Sequence, residues 1–305
     1  MLTDEQVPDV WRALGLPGLA DVHVHFLPPR MLDKVWHFFD EADKHYGLPW
    51  PIHYKRSEDE RIALLAGFGV TRFPTLAYPH KPGMAAWLND WCAGFAAKHP
   101  QAVHSATFFA EPGAERYVAG AVESGAKIFK VHVQVGEFDP SDDVLDPVWG
   151  LLADAGIPVV VHCGSGPLPG RFTGPGPIEV VLARHRKLAA VIAHAGAPEY
   201  AEHLALAERY PNVRLDTTMV GTPYLSRFAP VPADVIARYR ELPHKLVLGT
   251  DFPNIPYSYA QQIQSLLEWE CGDDWLRQVL WHNGAELLGL TGAGEHPDQD
   301  EKESE

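Results

Sequence analysis

The chain is poor in three features that would each have fixed its class. Cysteine is the first: Cys92, Cys163 and Cys271 are odd in number and lack CxxC spacing. Neither a disulfide framework nor a zinc knuckle is indicated, and a reducing, cytoplasmic setting is expected. Positive charge is the second. Lys and Arg total 25 against 40 Asp and Glu, a formal charge of −15. A chain without a basic face cannot displace counterions from a phosphate backbone, which argues against nucleic acid as a partner. Long apolar runs are the third: nothing approaches about eighteen consecutive apolar residues, so no membrane partner is expected. The opening Met-Leu-Thr-Asp-Glu has neither a basic nor an apolar targeting region, and export is not expected.

What is present describes a globular protein. Of 305 residues, 46% are hydrophobic and 10% aromatic, enough to fill a sizeable core and to exclude disorder of the whole chain. Residues 293–305 are the exception, with six acidic residues against Lys302 alone and no aromatic or β-branched side chain. They read as a solvated, disordered acidic tail behind a single domain over residues 1–292.

Short apolar runs recur, each followed by a stretch of helical periodicity, which points to parallel β/α units. The spacing predicts eight strands, at 18–25, 70–76, 103–109, 127–133, 158–162, 188–194, 213–217 and 245–250. Lys130, His162 and His194 are 32 residues apart in turn (162 − 130 and 194 − 162), as equivalent positions in successive repeats should be. Eight such units in a chain of this size predict a closed (β/α)8 TIM barrel of the α/β class. The structural runner-up is a doubly wound open sheet, but no GxGxxG phosphate turn follows any candidate strand. Residues 28–60 are longer than an ordinary βα loop and rich in aromatics, among them Trp36, Phe38, Phe39, Tyr46 and Trp50. They are either a lid over a site, hinting at a flat or apolar substrate, or a partly helical excursion that buries its own face or a subunit contact.

The chemistry-bearing residues sit where buried strands run out. His23 and His25 lie two apart in "DVHVHF", on one face of an extended strand. His162 ends "GIPVVVH", His194 ends "KLAAVIAH", and Asp251 follows "HKLVLGT". In a barrel those carboxyl-terminal ends converge on one mouth, where catalytic residues of this fold come from several strands. Each histidine taken singly is equally a hydrogen-bonded filler; it is their convergence that argues for a site. Neutral imidazoles with a carboxylate suit one divalent metal ion, Zn2+ first and Mn2+ as the alternative, with a position left for water or substrate.

Taken together, "DVHVHFLPP", "VHCGSG", "IAHAG", "LGTDFP" and "NGAELLGL" resemble the amidohydrolase superfamily, in its amidohydrolase-2 branch with the aminocarboxymuconate-semialdehyde-decarboxylase-like proteins. The resemblance runs from Leu19 to Leu290 and identifies no substrate. It implies that His23, His25, His162 and Asp251 bind the metal, with His194 as an acid/base or carbonyl-polarising group and Asp251 also catalytic. Some superfamily members bridge two metals with a carboxylated lysine on the fourth strand, a part Lys130 resembles, but one ion is the expectation for this branch. Lys130, His132, Arg72, Tyr78 and His80 are candidate substrate contacts. Cys163 is read as a buried structural thiol, and His282 and Asn283 as capping and packing groups.

The chemistry expected is hydrolysis of an amide, ester or lactone of a small molecule by activated water, with Asp251 as proton acceptor. The same ligands serve non-oxidative decarboxylation of an unsaturated or aromatic acid, the first alternative. A non-catalytic metal-containing binding module is the lesser one. A homodimer is the general expectation for a soluble oligomer.

Overall fold

The computed structural model describes residues 1–290, so the acidic tail expected at 293–305 lies outside the described residues. The strands are β1 (Phe73–Pro74), β2 (Ala102–Val103), β3 (Ser105–Thr107), β4 (Ile128–His132), β5 (Val159–His162), β6 (Ala190–Ile192), β7 (Val213–Asp216) and β8 (Leu246–Val247). All pair parallel, β1 with β2 and then β3 through β8 in chain order. β2 and β3 are two halves of one stave, interrupted at His104.

Residues 19–26 close the ring. On one side Val22 N–H donates to Leu248 O and His25 N–H to Phe252 O; on the other Phe26 N–H donates to Thr75 O. The regular strand expected at 18–25 is reduced to a single bridge, Val24 to Phe252. The reason is local: the Asp21 carboxylate takes the His23 N–H at 3.0 Å, a donor that a regular ladder would use.

Side-chain alternation along the staves sorts two cores. Val22, Leu76, Val103, Ile128, Val160, Val191 and Val247 cluster with Leu288, apart from the main core. They are one side chain from each of seven staves, packed as a barrel interior and plugged by the last helix. The opposite faces, such as Phe129, Val131, Val159, Val161, Ile192 and Leu215, join the larger cluster beneath the surrounding helices. Interior positions further along β4 and β5 are Lys130, His132 and His162, so the barrel changes from apolar to polar towards its carboxyl end.

Residues 28–60 are largely helical. Helix Pro29–Asp40 begins with proline in its first turn, where the missing N–H costs nothing. Leu32 and Trp36 of this helix pack against Leu27, Ala77 and Leu88. Helix Ala42–Tyr46 follows and ends at Gly47, whose left-handed φ of 70° favours glycine. Helix Glu58–Phe68 starts at a capping box in which the Ser57 hydroxyl accepts from Glu60 N–H and Glu60 accepts from Ser57 N–H. The excursion therefore stops at Ser57, and the first barrel helix begins there.

Among the described residues no helix is long and apolar enough to cross a membrane, and Cys92, Cys163 and Cys271 are all free.

Candidate active site

At the carboxyl end of the barrel lies a cavity of about 480 Å³. His23, His25, Lys130, His132, His162, His194 and Asp251 all reach it, as do Tyr78 and His80. Arg72 does not. It precedes β1 at the opposite end of its stave and is exposed, so its candidacy as a substrate contact is corrected. A residue before a strand faces the amino-terminal end of the barrel, away from the mouth.

His23 is held by a residue the strand-end reasoning passed over. Asp216, the last residue of β7, is fully buried and accepts from His23 Nδ1 at 2.8 Å, His194 N–H at 2.8 Å and Thr218 N–H at 3.0 Å. The signal was available, because "NVRLD" is another buried strand running out at a carboxylate. Gly249 makes the approach possible. A Cβ there would stand 2.9 Å from His23 Cβ and 3.1 Å from Asp216 Cβ.

With Nδ1–H committed to Asp216, His23 keeps the Nε2 lone pair for the cavity. Lys130 Nζ lies 3.1 Å from it and Asp251 Oδ1 3.4 Å. Ligand atoms of His23, His194 and Asp251 all fall within 4.8 Å of one another. His25 adjoins through Asp251, its Nε2 at 2.8 Å from Oδ1, while its Nδ1 faces Leu76 O at 2.9 Å. Both partners of His25 are acceptors, yet a neutral imidazole donates from one nitrogen only. A cation shared by Nε2 and the carboxylate would satisfy both.

His162 stands differently. Its Nε2 faces Gly166 O at 3.2 Å and its ring stacks on His132 with centroids 3.8 Å apart. The two are direct register partners across β4 and β5, which is why they stack. The tight group of potential ligands thus contains His194 where the family resemblance implied His162.

Electrostatics suit a cation. Burial lowers His23 to a pKa of about 3, helped by the Lys130 charge, so the imidazole is neutral at pH 7. Burial also lowers His194, His132 and His162. Desolvation would raise Asp251, but the hydrogen bond and charge of His25, with His23 and His194, hold it well below the usual carboxylate range. Asp216 is brought to about 2 against the same desolvation, by the charge and hydrogen bond of His23. Burial lowers Lys130 to about 8, opposed by the charges of Asp216 and Asp251. Lone pairs on neutral imidazoles beside an ionised carboxylate are the donor set a divalent ion takes, so these residues fit the group that the family requires.

The backbone carries strain at this rim. Leu76, His194, Met219 and Asp251 have φ of 31°, 54°, 63° and 69°, each just past the end of a stave. Left-handed non-glycine residues cost about 1–2 kcal/mol apiece and concentrate at functional sites.

The remaining expectations are quickly placed. Cys163 is buried with Sγ 3.8 Å from His203 Nε2, and burial pushes its thiol up to about 12, as for a structural thiol. Asn283 donates to Pro243 O and Leu246 O, a packing role.

The chain belongs to the amidohydrolase family, whose sequence pattern matches residues 20–290. It thereby joins a family of metal-dependent enzymes. No curated protein matches the chain. Among solved structures, an uncharacterised TIM-barrel protein from Bordetella bronchiseptica is 21% identical, with a TM-score of 0.71 over 88% of this chain and 98% of that one. A protein from Pseudomonas putida named as a putative 2-pyrone-4,6-dicarboxylic acid hydrolase is 14% identical, with a TM-score of 0.60 over 91% and 99%. A 5-carboxyvanillate decarboxylase from Sphingomonas paucimobilis is 15% identical, at 0.58 over 90% and 99%. At these identities the likeness is one of fold.

Proposed function

We propose that this chain is a metal-dependent hydrolase that cleaves an amide, ester or lactone of a small molecule at one divalent ion, zinc first. The observation that carries the reading is the group of ligand atoms from His23, His194 and Asp251 within 4.8 Å at the cavity floor. His25 joins through Asp251. When bound there, a divalent ion supplies acidified water and a polarised carbonyl.

The chain's own groups do the rest. Asp251, ionised, accepts the proton of the attacking water as its oxygen bonds to the carbonyl carbon, and returns it to the leaving group when the scissile bond breaks. His194, its ring edge-on to His23 at 5.3 Å, would hold the ion together with His23 and Asp251. Asp216 fixes the tautomer and orientation of His23. Lys130, beside His23, adds positive charge next to the reacting centre.

The fold neighbours include proteins named as a hydrolase and as a decarboxylase, so the test must separate the two. Elemental analysis of the purified protein should find about one equivalent of zinc or manganese. Chelator treatment should abolish turnover of an active lactone or ester, and zinc should restore it. Oxygen-18 from labelled water should enter the product carboxylate. Loss of CO2 without label would replace hydrolysis by decarboxylation, and full activity in metal-free protein would refute the metal reading.

A further inference from the structure

We propose that the cavity takes an uncharged, flat and mainly apolar substrate whose principal polar group is the carbonyl presented to the floor, and that it disfavours acids carrying a second, distal carboxylate. This rests on the hydrolase reading only for which end of the cavity meets the carbonyl.

The charge distribution along the cavity carries the argument. Among the described residues lining it, the charged side chains are Asp251 and Lys130 at the floor and Lys34 at the rim, with no arginine. Lys34 is exposed, so its charge is screened and holds an anion weakly. His80, also at the rim and exposed, has its pKa lowered by burial and by Lys81 and Lys34, which weakens its hold on an anion. No planar guanidinium fork is present to take a carboxylate in two hydrogen bonds.

Between floor and rim the wall is aromatic and firmly held. Trp50 is buried, with its ring centroid 5.1 Å from Phe39 and 5.1 Å from Tyr224. Its indole N–H donates to Asn254 O at 2.6 Å. Such a wall offers ring faces and edges to a flat apolar body. A carboxylate carried there would exchange its water for ring faces and a few neutral donors such as the Tyr46 and Tyr78 hydroxyls, with no opposite charge to offset the desolvation. The entrance continues the same chemistry: Phe38, Val135 and Phe228 line the mouth and remain 42%, 39% and 37% exposed. Apolar surface therefore runs from solvent to the floor, on a chain whose charge of −15 also repels anions.

The test is direct binding to the full-length chain, by calorimetry and ligand-observed NMR, of two ketones that cannot be hydrolysed. Acetophenone is uncharged; 4-acetylbenzoate differs by one carboxylate opposite the carbonyl. Acetophenone should bind at least about tenfold tighter, in zinc-free and zinc-loaded protein alike. Phe39→Ala should weaken it, and Val35→Arg, on the partly exposed face of helix Pro29–Asp40, should shrink or reverse the preference while circular dichroism stays unchanged. Equal or tighter binding of 4-acetylbenzoate, or no saturable binding of acetophenone at about 10 mM, overturns the proposal. Its failure is distinguishable from failure of the hydrolase reading, which is judged by metal content and oxygen label and leaves the binding order untouched.

Discussion

Replacing Asp216 by Asn changes almost no volume, yet the hydrogen bonds around it dictate a large effect. One carboxylate oxygen takes two backbone donors, His194 N–H at 2.8 Å and Thr218 N–H at 3.0 Å; the other takes His23 Nδ1 at 2.8 Å. An asparagine must leave its carbonyl oxygen on the two backbone donors, because its NH2 cannot accept. That NH2 then faces His23 Nδ1, which has to become the acceptor. The imidazole proton moves to Nε2, the atom aimed at the ligand group, and the lone pair is lost there. Metal affinity should fall about 10–100-fold or more, as when other carboxylate partners of ligand histidines are removed. The variant should also be less sensitive to acid. Asp216 has a folded pKa near 2 against 3.8 without its surroundings. A depressed carboxylate contributes stability that is present above pH 4 and lost as pH falls towards 2. Zinc titration by calorimetry and urea unfolding between pH 5 and 2 measure the two effects. Metal affinity within threefold of the parent, with an unchanged acid limb, would refute the tautomer argument.

Three further outcomes follow from the same geometry. His194→Ala should lose bound metal while His162→Ala keeps it, since His162 Nε2 is engaged with Gly166 O and lies outside the ligand group; the reverse pattern in elemental analysis would restore the ligand set implied by family resemblance. Asn254→Ala removes the acceptor of Trp36 Nε1, at 3.1 Å, that ties helix Pro29–Asp40 to the loop after Asp251. It should raise KM more than it lowers kcat and cost about 1 kcal/mol in urea unfolding. Leu288→Ala opens the plug beneath the interior layer of Val22, Ile128 and Val160. It should destabilise by about 2–4 kcal/mol with metal content per folded chain unchanged.

The barrel was legible because its signal is local. Staves such as Ile128–His132, Val159–His162 and Ala190–Ile192 are apolar runs bounded by Gly or Pro, and the 32-residue spacing of Lys130, His162 and His194 is visible without any knowledge of contacts. His23, His25, His162, His194 and Asp251 were visible for the same reason, as polar residues at the ends of apolar runs, and all of them reach one cavity. The end of the excursion was not read: the capping box at Ser57 and Glu60 starts a barrel helix at Glu58, before the expected boundary at 60.

The sequence by itself determined which side chains gather at the mouth, because alternation along a strand and the end of an apolar run are properties of neighbouring residues. Tertiary structure alone decided how they divide the work. That Asp216 grips His23, that His162 stacks on His132 instead of joining Asp251, and that Arg72 lies at the far end depend on register between staves and on rotations about single bonds. Those are relations between residues distant along the chain, set by packing across the barrel, and no local pattern encodes them.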